Sequence, residues 1–528
     1  VVAELVERLR TADTGERREI IQQLSDTQQK IVPALVKVLD DPDPLVKSGV
    51  AEALGNHMDD ATPAIPGLIA MTSDPRQAIV PRPQFPTPLF ALPIPRSPYL
   101  YSEERRRPSI PPNNPANLLR ITAIAALGKI GLPARTAASP PLLQALQDPD
   151  PWVRLNATWA LAEIGASVPL LSHWLEALQS PDPDLRRNAA ATFLDERSLL
   201  PKVLGSEADD STISPLIAAL KDDELTVRDA AKEALKLLRA RALPGLVQAL
   251  KALEPIVRLE AADLVGKLGA AAQSAVPDLL PLLQDTGRYV LPDTDRFGVL
   301  MLPPLAIPTV AFPGSRSYPP PPGNPEQLVR VNAAIALGTL GDRRAIPPLS
   351  TALKDDNPWM QLATGWALLR LGETEGLPVV GRLVQHPNRS IQTAALYQLE
   401  GYGSQSAPYI LPYYKAQLES TDDNQRNGAI ISIGRFGVAA LDLVPRLRAF
   451  LTGNQKNSPG YAATILGQIA QRTAIAWNNG SLSTNQRRQA IAEFTKVLDI
   501  MQAPNARFNR EPVNRVRNSL AILKSGAP

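Results

Sequence analysis

The chain has 528 residues, too many for one compact core, and its 44% apolar and 20% charged content is that of an ordinary folded protein. Fifty-five basic against 52 acidic side chains leave a net charge of only +3, so no global field steers it toward nucleic acid or anionic lipid. The absence of cysteine excludes disulfides, thiolate metal sites and a cysteine nucleophile, and no apolar run reaches the roughly 18 residues of a transmembrane helix.

Along the chain one unit recurs: an Asp/Pro-rich turn, a Val or Leu often followed by Arg, then small residues ending in Leu-Gly. It is first clear in DDPDPLVKSGVAEALG (40–55). A proline-rich insertion over 75–115 follows, with 12 prolines, and ends in PPNNPANLLRITAIAALGKIG (111–131). The unit returns in DPDPWVRLNATWALAEIG (148–165), SPDPDLRRNAAATFL (180–194), DDELTVRDAAKEALKLL (222–238) and EPIVRLEAADLVGKLG (254–269). A second insertion over 292–325 holds 10 prolines and leads into YPPPPGNPEQLVRVNAAIALGTLG (318–341). LSTALKDDNPWMQLATGWALLRLG (349–372), HPNRSIQTAALYQLEGYG (386–403) and TDDNQRNGAIISIGRFG (421–437) complete the series. Residues 205–215 and those beyond 450 depart from the pattern, and irregular helices with a terminal cap are expected there.

The array is duplicated. At an offset of 210 residues, 11 of 21 positions starting at Pro111 are identical without a gap, and 142–165 matches 349–372 at offset 207, keeping Trp152 and Trp159 as Trp359 and Trp366. Aligned positions Leu119, Val153, Leu185, Val227, Val257, Val329, Met360 and Ile391 are 34, 32, 42, 30, 72, 31 and 31 residues apart. A period of 30 to 40 with two short amphipathic helices per unit predicts an all-α solenoid of about a dozen helical hairpins. Asp and Pro open the second helix, Val, Ala and Leu form its buried stripe, and Gly ends it. Three segments follow: 1–205 with the first insertion, 206–450 with the second, and 451–528 as capping helices with a basic tail.

The D-P-D-x-x-V-R-x-x-A-A-x-A-L-G pattern resembles HEAT repeats, specifically the short bacterial type named for phycobilisome lyases. That resemblance implies a helical superhelix, a cyanobacterial or related source, and service to a phycobilisome or photosystem. It also implies the competing reading, a bilin lyase or bilin-attachment chaperone.

The insertions AIVPRPQFPTPLFALPIPRSPYLY (78–101) and GVLMLPPLAIPTVAFPGSRSYPPPP (298–322) are apolar, aromatic-bearing and unable to be helical. Polyproline-like chain loses little entropy on binding, which makes such arms good contact surfaces; equally, each arm folds back and covers its own solenoid. Candidate partner-binding residues are Phe85, Phe90, Tyr99, Tyr101, Arg105, Arg106, Arg107, Phe297, Phe312 and Tyr318. The arginine triplet, beside two glutamates, also reads as a solvated loop tip. Arg507, Arg510, Arg515, Arg517 and Lys524 against Glu511 either meet an acidic partner or complement a helix dipole. The tryptophan pairs, seven apart on one face, read as core. His57, His173 and His386 are scattered and form no metal spacing. The acid pairs Asp222–Asp223, Asp355–Asp356 and Asp422–Asp423 read as caps rather than acid/base pairs.

The expectation is therefore a non-enzymatic scaffold or accessory subunit that binds protein partners, takes no cofactor or nucleic acid, and touches a membrane only indirectly or peripherally. A start at Val1 rather than Met is expected if a leader is missing, which favours export to a thylakoid lumen or periplasm over the cytoplasm.

Overall fold

A computed structural model describes residues 2–26, 31–75, 117–193, 200–204, 210–286, 328–453 and 458–525. The described residues form helices and turns only, and the helices pair into about a dozen antiparallel hairpins, an all-α solenoid of HEAT-like units. By contacts the chain divides into two units, Val1–Leu268 and Gly269–Pro528.

In the first unit the second helices of successive hairpins are Thr14–Asp26, Pro44–Asn56, Leu118–Ile130, Pro151–Glu163, Pro183–Phe193, Leu225–Leu238 and Pro255–Leu268. In the second they are Leu328–Leu340, Pro358–Arg370, Arg389–Glu400, Asp423–Ile433 and Ser458–Asn478, followed by the pair Thr484–Met501 and Arg510–Lys524. Beyond residue 450 the helices are longer and more regular than the sequence pattern implies: Ser458–Asn478 has 21 residues, and Thr484–Met501 opens on a capping box between Ser483 and Gln486.

Local chemistry sets each second helix. In DPDP (148–151) the Asp148 carboxylate accepts from Asp150 N at 2.9 Å, and Asp150, in extended geometry, accepts from Trp152 N at 2.7 Å. Two orphan donors at the helix start are thereby satisfied, and Pro151 occupies the first helical position, where no N–H is needed. The same double turn recurs at Asp41 and Asp43, and at Asp355 and Asn357. Val153, Ala157 and Ala160 then form a fully buried stripe, as Val46, Val50 and Leu54 do in the earlier hairpin.

Glycine at the end of the stripe has two jobs, where the sequence reading assigned one. Gly131 and Gly341, at φ 74° and 73°, end their helices in a conformation that side chains resist. Gly128 and Gly338, three residues earlier, lie inside the helix and admit the next one. A Cβ on Gly128 would stand 2.5 Å from Trp159 Cζ3 and 2.9 Å from Ala160 Cα, and one on Gly338 2.6 Å from Ala367 Cα. Gly55 meets Ala126 Cα in the same way. Backbone thus approaches backbone from hairpin to hairpin. At the terminating position two hairpins carry side chains instead: Met58 at φ 49° and Arg239 at φ 51°.

The two long excursions leave and re-enter at packed neighbours. Helix Ile65–Met71 packs against Leu118–Ile130 across residues 76–116, and Leu280–Gln284 packs against Leu328–Leu340 across 287–327.

Residues 423–452 have the length and mean hydropathy (1.5) of a membrane span. They are broken at Gly437, φ 52°, into separate helices, Asp423–Ile433 packed against Ala407–Gln417 and Val444–Ala449 packed against Ser458–Asn478, and 56% of their most apolar 18-residue stretch is buried.

Two substitutions separate the glycine roles. Gly128→Leu is expected to lower stability by about 1–3 kcal/mol through overpacking, whereas Met58→Gly is expected to raise it by about 1 kcal/mol through relief of the left-handed backbone. Urea unfolding of each variant reads both signs.

Candidate functional site

The turns that open the second helices carry the densest chemistry among the described residues. The Arg of the V-R pair reaches back over its own turn: Arg154 donates to the carbonyls of Asp148 at 2.7 Å and Pro149 at 3.0 Å, Arg186 to Ser180 at 2.9 Å, Arg228 to Asp222 at 2.7 Å, and Arg258 to Ala252 at 2.7 Å. Where the second copy has Gln361 in place of Arg154, the amide makes the same bond to Asp355 at 2.7 Å.

A second set of contacts, in part from the same arginines, binds the turn of the following hairpin. Arg10 grips Asp41 with both nitrogens at 3.0 and 2.8 Å, Arg186 grips Asp222 at 2.7 and 3.3 Å, and Arg187 grips Glu224 at 3.0 and 2.6 Å. Arg120 with Asp148 and Arg330 with Asp355 complete the pattern. The acid pairs thus serve caps and ladders. Asp222 accepts from Glu224 N, Asp355 from Asn357 N, and Asp422 from Asn424 N.

Three turn carboxylates, Asp41, Glu224 and Asp342, are held ionised rather than poised. The Arg10 guanidinium holds Asp41 below its ordinary 3.8, against a smaller opposing effect of burial. Arg187 holds Glu224 low, and Arg344 does the same for Asp342. A general acid or base near neutrality needs the opposite shift.

One half-buried charge cluster was not legible in the sequence. Between helices Leu225–Leu238 and Pro255–Leu268, Lys232 lies 2.9 Å from Asp229 and 3.3 Å from Glu260. Burial opposes the lysine's charge, but Glu260 and Asp229 outweigh it and raise its pKa. The only local signal is the i, i+3 spacing of Asp229 and Lys232; Glu260 lies 28 residues from Lys232.

Trp152 and Trp159 are core, 4% and 2% exposed, while Trp359 and Trp366 are half-buried, with Arg370 over the Trp366 ring at 5.7 Å. His57 Nε2 lies 3.0 Å from the Leu24 carbonyl, and His386 Nδ1 accepts from Asn388 N at 3.1 Å. Among the described residues no group of three or more His, Cys, Asp or Glu is placed to hold a metal. The ten candidate partner-binding residues, Phe85, Phe90, Tyr99, Tyr101, Arg105, Arg106, Arg107, Phe297, Phe312 and Tyr318, all lie outside the described residues.

Helix Arg510–Lys524 differs from the turn edge because only one of its four cations, Arg515, is paired with a carboxylate. Pro512, Val516, Ser519, Leu520 and Leu523 are buried, whereas Arg510, Arg517 and Lys524 are exposed and seven residues apart. Arg515 pairs with Glu511, and Arg517 donates to Asn514 at 2.7 Å. Arg487 stacks over Trp477 at 4.2 Å and donates to the Leu523 carbonyl at 2.7 Å, which ties Ser458–Asn478, Thr484–Met501 and Arg510–Lys524 together.

The HEAT-repeat family profile matches residues 2–81, 113–195 and 323–400. Comparison with curated proteins gives no match. Among solved structures the fold is similar to that of Kap95p, whose binding induces the switch loops of RanGDP to adopt the GTP-bound conformation, with TM-score 0.50, 11% identity, and coverage of 99% of this chain and 66% of that one. Kap121p follows with TM-score 0.47 and 14% identity over 99% of this chain and 54% of that one. An engineered protein has TM-score 0.30 and 17% identity over 95% and 100%. The chain therefore spans 66% and 54% of the lengths of the Kap95p and Kap121p chains, and at 11% identity the likeness to Kap95p shows the fold alone.

The ladder makes a pH prediction. Because Asp41 is depressed in the folded state, its contribution is fully present above its ordinary 3.8 and is lost as pH falls through the lower folded value. Asp41→Asn should therefore be less stable than the parent by about 1–3 kcal/mol at pH 7, and the gap should be smaller at about pH 3, below the ordinary 3.8. Urea midpoints at the two pH values check it.

By its repeats and its helices, the chain is an all-helical, HEAT-like repeat protein.

Proposed function

We propose that the chain is a non-catalytic scaffold, an accessory subunit that binds protein partners within a larger assembly. One observation carries this reading: the hairpins spend their charged side chains on one another, from turn to turn, while the two longest departures from the repeat are proline-rich, aromatic-bearing segments at equivalent places in a duplicated array. A solenoid of like fold, Kap95p, binds RanGDP, so the architecture suits a protein partner. The contacts are assigned to Phe85, Phe90, Tyr99, Tyr101 and Arg105 to Arg107 in the first arm, and to Phe297, Phe312 and Tyr318 in the second. Resemblance of the repeat pattern to the bacterial phycobilisome-lyase type supports a photosynthetic assembly, with a lumenal or periplasmic location.

The test is a mild-detergent pull-down from native cells with the intact chain and with a form lacking 78–110 and 293–320, read by mass spectrometry and absorption. Loss of a defined set of partners from a variant that keeps its helical circular dichroism is the expected result. Unchanged partners would move binding to the helices, and a bilin spectrum carried by the purified chain would replace the scaffold with a bilin-handling protein.

A further inference from the structure

Charge is not evenly spread along the chain. Residues 458–528 hold nine basic side chains (Arg472, Arg487, Arg488, Lys496, Arg507, Arg510, Arg515, Arg517, Lys524) against three acidic ones (Glu493, Asp499, Glu511), a balance of +6. The total is +3, so everything before them nets −3. Part of the excess is used internally: Lys496 pairs with Glu493, Arg515 with Glu511, and Arg472 and Arg487 bind backbone carbonyls. Arg488, Arg507, Arg510, Arg517 and Lys524 remain exposed.

The helix dipole accounts for only Lys524 among them. A cation is favoured in the last turn, which holds only Lys524. Arg510 opens the helix and Arg507 precedes it, at the positive end of the dipole, where a cation costs free energy.

We propose that the solvent-facing side of helix Arg510–Lys524 docks an acidic polypeptide segment, with Arg510, Arg517 and Lys524 as its contacts. This rests on the scaffold reading and names one surface and one partner chemistry within it. Seven helical residues set neighbouring cations about 10.5 Å apart, and an acidic segment in polyproline II conformation, with three residues per turn, returns a carboxylate to the same face about every 9.3 Å. The guanidinium fork suits paired carboxylate oxygens. A nucleic-acid strand offers one phosphate per roughly 3.4 Å of helix axis, far denser than this row. A bilayer would need an apolar face to insert, and here that face is buried under the two neighbouring helices.

The test uses the full chain and a fluorescent peptide of the form (Glu-Gly-Ser) repeated five times, followed by anisotropy. Two triple variants are compared: Arg510→Glu, Arg517→Glu, Lys524→Glu on this face, and Arg343→Glu, Arg344→Glu, Arg382→Glu elsewhere, with the same change in net charge. The expected result is binding by the parent and the second variant, and binding weaker by about tenfold or more in the first. Equal losses in both variants would reduce the effect to net charge and overturn the proposal. So would tighter binding of a 15-nucleotide single strand, or of phosphatidylserine vesicles, than of the peptide. The proposed function is read separately: if the first variant keeps its full native partner set while the arm deletion loses it, this surface is refuted and the scaffold stands.

Discussion

The recurrent interaction of this array is made by a carboxylate placed three residues ahead of a helix. The side chain of Asp148, like those of Asp41, Asp222 and Asp355, closes its own turn, and the Arg of the preceding hairpin reaches the same group. One anion therefore starts a helix and registers it against its neighbour. Such pairs are worth little when fully exposed, but these carboxylates are mostly shielded; Asp41, Asp148 and Asp222 have side chains 14%, 10% and 12% exposed. Coupling of helix initiation to stacking suits a chain in which each hairpin touches only its neighbours.

The second constraint is steric. Gly55 against Ala126, and Gly128 against Ala160, bring successive second helices together at backbone distance. The approach leaves the larger apolar side chains, such as Leu54, Leu119 and Leu161, to fill the space beside the seam, where each buried Leu contributes about 1.5–3 kcal/mol. Small residues fix the spacing and large ones supply the burial. Asn156, which matches a glycosylation sequon, is fully buried in this packing, so the match is incidental.

Much of the fold was legible because its signals are local. The double Asp turn, the proline at the first helical position and the back-reaching Arg act within about six residues, and a strict local pattern repeated many times declares both the helix and its period. What was hidden acts across hairpins. Arg10 to Asp41 is 31 residues, Arg120 to Asp148 is 28, and Arg186 to Asp222 is 36, so variable hairpin length conceals a constant spatial contact. The two roles of Gly128 and Gly131 were merged for the same reason, since close approach is a property of the neighbour and not of the glycine. For the binding surface, proline and aromatic content indicates a non-helical, contact-forming segment, but recognition depends on a partner's shape, which composition does not encode. The basic face of Arg510–Lys524 became readable only when the buried side of the helix separated the cations that face solvent from those that are paired.

The excursions across 76–116 and 287–327 begin and end on helices already packed together. Their anchor points are held by hairpin packing, and lengthening the chain between them costs only logarithmically in closure entropy, about 0.6 kcal/mol per doubling. The duplicated array thus carries two grafting ports at equivalent positions, where a segment can be exchanged, enlarged or replaced by a foreign domain while the stack beneath keeps its register. Partner choice in such a molecule can evolve at the ports independently of the architecture that presents them.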